Sequence, residues 1–257
     1  SGPEKLASEA GLSMLKRGGN AVDAAVATGF ALAVTLPRAG NLAGGGFMLV
    51  HLAKTDEQVF IDYREMAPAS ASRDMFLNED GTVNKQMAYN SPSAAGIPGT
   101  VAGMIHALEN YGTLDLKTVI QPAIELAEQG FRVPAALHLN LRAATKRLAR
   151  NEEANRIYLA GTGTAPAMGS LFKQPDLAAT LKRISDNGTD GFYKGKTAAL
   201  IVEEMQRNGG LITRSDLANY RALERQPVRS MFRGYELVSA PPPSSGGIHV
   251  SQILTLL

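Results

Sequence analysis

The apolar and polar positions of this chain predict a succession of helices interrupted by one clear hairpin. A first helix is expected from about Glu4 to Arg17, stopped by Gly18-Gly19. Asn20 follows as an N-cap, and Asp23 sits where a carboxylate favours the positive end of a helix. The helix after it is rich in Ala and Val and ends before Pro37. Its apolar residues lie nearly all round, so it should be buried, with small side chains allowing close approach to a neighbouring sheet. Phe47 to Ala53 and Gln58 to Arg64 read as two strands around a polar turn. Pro68 to Pro98 has no long period and many turn residues, which predicts a surface excursion with short helical turns.

Further helices are expected at about Thr100–Asn110, Leu116–Gln129 and Ala135–Arg150, with Gly112 and Gly130 ending the first two. Gly161 to Pro166 reads as a loop. Asp176 is expected to cap a helix ending at Asn187-Gly188, and another helix covers Thr197–Arg207. Thr213-x-x-Asp216 resembles a capping box. Two strands are expected near the end, Ala222–Phe232 and Tyr235–Ala240, before Pro241-Pro242-Pro243. Mostly helix with about four strands suits an α+β fold, a sheet covered by helices.

The chain has 257 residues, 44% apolar and 19% charged, which suits a soluble globular protein read as a single domain over 1–257. The net charge of +2 is spread. Lys16-Arg17 and Lys182-Arg183 are isolated pairs, so no nucleic-acid partner is expected. The absence of cysteine removes disulfides, thiol catalysis and zinc–thiolate sites. The most membrane-like run, Ala21 to Leu36, is too short to span a bilayer and carries Asp23. The start, Ser1-Gly2-Pro3-Glu4-Lys5, lacks the pattern of a signal peptide. At the other end Ile253 to Leu257 is apolar and helix-like with no stop signal, so a further C-terminal part is expected.

Several chemistries can be set aside. There is no phosphate-binding P-loop, no G-x-S-x-G elbow and no H-E-x-x-H. His51, His106, His138 and His249 do not cluster by spacing, so neither a metal site nor a cofactor is expected. Ser13-x-x-Lys16, Ser185-Asp186-Asn187 and Lys196-Thr197-Ala198 evoke serine β-lactam-binding enzymes, but their spacing is wrong. Gly44-Gly45-Gly46 leads into a strand rather than a helix, which favours close backbone packing over a phosphate cradle. Ser244-Ser245 reads as the cap of the last helix. Arg64 is the sharper case. It ends the second strand between Asp62 and Glu65. The plainer reading pairs it with a neighbouring carboxylate; the functional one lets its planar fork hold a substrate carboxylate with two hydrogen bonds.

A run of ordered segments carries a family resemblance. They are Gly18 to Ala25, Gly40-Asn41-Leu42-Ala43-Gly44-Gly45-Gly46-Phe47, Asp62-Tyr63-Arg64-Glu65-Met66-Ala67-Pro68 and Gly96 to Gly103. Phe192 to Gly195, Asn208 to Thr213 and Pro241 to Gly247 continue the series. Together they resemble the γ-glutamyltransferase family over almost the whole chain. Leu42-Ala43-Gly44 departs from a fourth glycine often seen in that loop, and Glu152 to Ser170 matches poorly.

The resemblance implies an N-terminal-nucleophile hydrolase, a four-layer αββα sandwich to which this chain supplies helices and part of the sheet. It implies a self-cleaving precursor of which this is the large-subunit portion, partnered by a small subunit, in the periplasm or secreted. The nucleophile would be an N-terminal threonine of the small subunit, with no catalytic residue in this chain. The substrate would be glutathione or another γ-glutamyl amide, with water, an amino acid or a peptide as acceptor. The family's carboxylate-binding arginine falls on Arg64. A cephalosporin (glutaryl) acylase, or a non-catalytic γ-glutamyl-binding module, is the alternative.

Overall fold

The computed structural model describes residues 2–257; Ser1, the first residue of the polar start, lies outside the described residues. In chain order the elements are α1 (Lys5–Lys16), α2 (Ala21–Thr35), β1 (Phe47–Leu52), β2 (Glu57–Asp62), α3 (Lys85–Asn90), α4 (Thr100–Tyr111) and α5 (Leu116–Gln129). They continue with β3 (Phe131–Arg132), α6 (Ala135–Leu148), α7 (Glu152–Tyr158), β4 (Leu171–Phe172), α8 (Pro175–Asn187), α9 (Asp190–Tyr193) and α10 (Gly195–Asn208). The last are α11 (Arg214–Asn219), β5 (Leu223–Arg225), β6 (Val228–Phe232), β7 (Tyr235–Ser239) and α12 (Gly246–Leu256). Two compact units emerge, Ser1–Asn41 with Gly112–Gly191, and Leu42–Tyr111 with Phe192–Leu257.

The first unit is built on α2. Its helix starts at Asn20, whose side chain accepts from the Val22 and Asp23 N–H groups, while the Asp23 carboxylate accepts from the Asn20 N–H. Asp23 is fully buried and also accepts from the Thr113 N–H (2.9 Å), the Leu114 N–H (3.0 Å) and the Thr113 hydroxyl (2.6 Å). One carboxylate thus caps α2 and ties it to the segment leading into α5. The close approach expected against a sheet is made, within this unit, against α1. A Cβ on Gly11 of α1 would lie 2.2 Å from Thr28 Oγ1 and 2.8 Å from the Ala24 carbonyl oxygen of α2. Small residues are needed because two helix backbones meet there.

Other expectations for this unit need correction. Asp176 does not cap α8. Gln174 is the N-cap, Pro175 takes the first turn, and Asp176 pairs with Arg156 at 2.8 Å. The Gln174 amide instead donates to the buried Val34 carbonyl. Glu152 to Ser170 opens with a helix, α7, capped by Asn151. The short β3–β4 pair, fastened by Phe131 edge-on to Phe172, was not anticipated.

The second unit holds an antiparallel sheet in the order β1-β2-β5 and a separate β6–β7 hairpin. The single strand expected over Ala222–Phe232 is split at Pro227, which has no N–H for a ladder. Residues before it pair with β2 and residues after it with β7. The capping box of α11 forms as expected, with Thr213 and Asp216 bonded reciprocally. Residues 68–98 are largely exposed and carry α3, a 3-10 turn at Pro92–Ala94 and isolated bridges from Leu77 to Val83 and from Ile97 to Met66. At α12, Ser245 occupies the N-cap without a side-chain bond, and Ser244 accepts from the Gly246 N–H instead. Among the described residues no helix is long and apolar enough to cross a membrane.

Asp23 supplies a stability test. Burial raises its pKa, but bonds from the Thr113 hydroxyl and from the Leu114, Asn20 and Thr113 N–H groups outweigh that and hold it below the ordinary value. A depressed carboxyl stabilises the fold above its unfolded pKa of about 3.9 and loses that contribution as pH falls through the folded value. Asp23→Asn is expected to cost about 1.5–3 kcal/mol near neutral pH. In urea titrations its gap from wild type should stay constant above about pH 5 and narrow in more acidic buffer.

Candidate functional site

The end of β2 is anchored by backbone before any side chain is considered. Gly46 and Tyr63 exchange N–H···O bonds of 3.2 and 3.0 Å, extending the hairpin ladder by one pair. A Cβ on Gly45 would lie 2.6 Å from both the Glu65 nitrogen and the Tyr63 carbonyl oxygen. The Gly44 carbonyl accepts from the Gly99 and Thr100 N–H groups at 2.7 and 3.0 Å, where α4 begins. The glycine run therefore packs backbone on backbone. It satisfies the first donors of α4 itself, rather than leaving them for an anion.

Arg64 follows directly. Its N–H donates to Asp62 Oδ1 at 3.0 Å, and its carbonyl accepts from the Tyr220 hydroxyl at 2.8 Å. Its guanidinium is exposed, 5.9 Å from the centroid of the Phe47 ring. The plainer reading pairs it with a neighbouring carboxylate, Asp62 or Glu65, and neither pair forms. The Asp62 Oδ2 is held at 2.7 Å by Arg225, which reaches across from β5. Among the described residues no carboxylate pairs with the Arg64 guanidinium. The fork is left on the surface with its donors available to a ligand.

Sequence reasoning missed the partners of this arrangement. Arg225 was folded into one long strand, so its reach to Asp62 was invisible. Tyr220, just beyond α11, lay outside every motif considered. A second cluster was also missed. Glu224 of β5 accepts from the Tyr111 hydroxyl at 2.5 Å and meets His106 Nε2 at 2.9 Å. The bonds from Tyr111 and then His106 lower the Glu224 carboxyl, while burial and then Glu224 push Tyr111 up to about 12.

The remaining candidates scatter. His51 meets Gln58 at 2.9 Å and His138 meets the Pro166 carbonyl at 2.8 Å. Among the described residues no three His, Asp or Glu side chains converge as a metal site would require. Ser13 donates to the Ala10 carbonyl within α1, and Asp186 pairs with Lys117 at 3.8 Å. The fragments evoking a β-lactam-binding enzyme are thus ordinary helix residues.

The sequence profile described as gamma-glutamyltranspeptidase matches residues 7–257. The chain belongs to this family. It is 50% identical over 254 residues to the glutathione hydrolase proenzyme of Escherichia coli strain K12, covering 99% of this chain and 44% of that protein. It is 40% identical over 258 residues to the acylase ACY 1 proenzyme of Pseudomonas sp. strain SE83, covering 98% of this chain and 46% of that protein. The chain spans less than half the length of these curated relatives. The crystal structure of Helicobacter pylori gamma-glutamyltranspeptidase superposes with a TM-score of 0.97 at 45% identity, covering 100% of this chain and 73% of that chain. The mixed α and β fold expected for the family is therefore the fold observed.

The packing around the glycine run can be tested directly. Gly45→Ala forces a methyl against two backbone atoms that cannot step aside. It is expected to cost about 1–3 kcal/mol, read as a lower denaturation midpoint. An unchanged midpoint would remove the packing account of that glycine.

Proposed function

We propose that this chain is the large-subunit portion of a γ-glutamyltransferase and that Arg64 holds the substrate's α-carboxylate. The observation that carries the reading is the uncommitted guanidinium of Arg64, left free because Arg225 occupies Asp62. Identity to a glutathione hydrolase proenzyme over 99% of the chain supports the substrate class. In this reading a small subunit from the same precursor supplies an N-terminal threonine. Its hydroxyl attacks the γ-glutamyl carbonyl while its own α-amine takes the hydroxyl proton; the amide C–N bond then breaks and the amine leaves with that proton, giving the acyl-enzyme. The acyl-enzyme is then released to water or to an amino acid or peptide acceptor. Arg64 grips the far end of the γ-glutamyl group, away from the reacting carbonyl, and so positions without taking part in bond-making. The compartment that goes with this reading is periplasmic or secreted.

The acylase relative keeps a second reading in view. A glutaryl amide also ends in a carboxylate that Arg64 could hold, and it lacks the α-amine of a γ-glutamyl group. Kinetics of the complete, processed protein separate the possibilities. Arg64→Ala is expected to raise KM for a γ-glutamyl amide about ten- to a hundred-fold, matching a charge-assisted bond of roughly 1.5–3 kcal/mol. Arg64→Lys should recover only part, since it restores the charge without the fork. Unchanged KM and kcat in Arg64→Ala would remove the site assignment. Turnover of glutaryl but not γ-glutamyl amides would establish the acylase reading, and binding without turnover of either would leave a γ-glutamyl-binding module.

A further inference from the structure

We propose that Tyr220 is a positioning residue for Arg64, fixing the peptide group that follows it and hence the direction in which the guanidinium is presented. The proposal rests on the reading of Arg64 as the α-carboxylate holder. An exposed arginine on a flexible stem, its guanidinium carbon 5.9 Å from the centroid of the Phe47 ring, gains little aim from its own side-chain contacts. Its aim has to come from the Cα–Cβ direction, which the two flanking peptide groups set. The Asp62 carboxylate holds the N–H before the Arg64 Cα, and the Tyr220 hydroxyl holds the carbonyl after it. Together the two bonds restrain the peptide planes on either side of the Arg64 Cα, and with them the direction of its Cα–Cβ bond.

Tyr220 is built for this contact. It is buried, with 4% of its surface exposed, and its ring lies parallel to that of Tyr193 at 5.8 Å between centroids. Tyr193 is itself pinned, donating to the Pro98 carbonyl at 2.8 Å and accepting from the Ala102 N–H at 3.2 Å. Gly99 leaves the opening through which the hydroxyl reaches: a Cβ there would lie 2.2 Å from the Tyr220 oxygen and 2.0 Å from the Tyr63 carbonyl oxygen. Burial, then the negative charge of Asp62 and Glu65, keeps the hydroxyl protonated well above the ordinary tyrosine range, so it remains a donor. The same corner of α11 grips the segment once more, Asp216 Oδ1 accepting from the Ala69 N–H at 3.0 Å. Residues 64 and 69 are therefore both held from residues 216–220.

The test uses the complete, processed protein and γ-glutamyl-p-nitroanilide, with thermal midpoints measured in parallel. Tyr220→Phe keeps the ring and its stack while deleting the donor. It is expected to raise KM about five- to ten-fold with kcat within about two-fold, and to add no further rise in an Arg64→Ala background, because the two residues act as one unit. Thr35→Val is the control: it deletes a buried hydroxyl, bonded to the Ala31 carbonyl within α2, that has no part in holding Arg64, and should lower the midpoint while leaving KM unchanged. The assignment is overturned if Tyr220→Phe leaves KM at the wild-type value, if its effect multiplies in full with that of Arg64→Ala, or if Thr35→Val raises KM as much. A steep Arg64→Ala effect beside a silent Tyr220→Phe removes Tyr220 alone. A silent Arg64→Ala removes the Arg64 reading and the Tyr220 assignment with it.

Discussion

The bridge from Arg225 to Asp62 is the interaction on which the rest of the site depends. Asp62 is nearly buried, and a buried carboxylate must be paired or give up its charge. Left alone, its natural partner would be the arginine two residues away. By taking one carboxylate oxygen, Arg225 satisfies that need from the neighbouring strand and leaves the other oxygen for the Arg64 N–H. The same carboxylate is thus used to hold the Arg64 backbone and is kept from capturing its side chain. Among the described residues the Arg64 guanidinium has no carboxylate partner.

That arrangement is possible only because backbone crowds around it without side chains in the way. The Gly44 carbonyl sits on the first amides of α4, and Gly45 lies against the Tyr63–Glu65 backbone. Gly103 faces the Tyr63 ring so closely that a Cβ would fall 2.0 Å from its Cγ. Tyr63, between Asp62 and Arg64, is held by this packing on both sides. The glycines contribute stiffness, and the charged residues act on a frame that the glycines make rigid.

Much of this was legible in the chain. The Asn20–Asp23 cap, the Thr213–Asp216 box, the hairpin and the stop at Gly130 all follow from local chemistry and appear where local chemistry puts them. The misses share a cause. Asp176 looks like a cap by type, but Pro175 and the long-range bond from Gln174 to Val34 set the start of α8 two residues earlier. The strand through Pro227 reads as continuous by composition, yet each half answers to a different partner. Arg64 was visible as a question, and the answer lay with Arg225 and Tyr220, more than 150 residues further along, where no local pattern reaches.

The unit that carries Arg64 is assembled from Leu42–Tyr111 and Phe192–Leu257, with a stretch of the other unit's chain between them. Synthesis proceeds from the N-terminus, so the hairpin and its arginine leave the ribosome long before β5 and Tyr220 do. During that interval Asp62 has no Arg225, and the strand edge of β2 has no neighbour on that side. Closing so long a loop is slow, and an unpaired edge invites other strands. That edge of β2 is covered only when Leu223–Arg225 has been made, so the hairpin's exposure lasts through the synthesis of the whole intervening stretch.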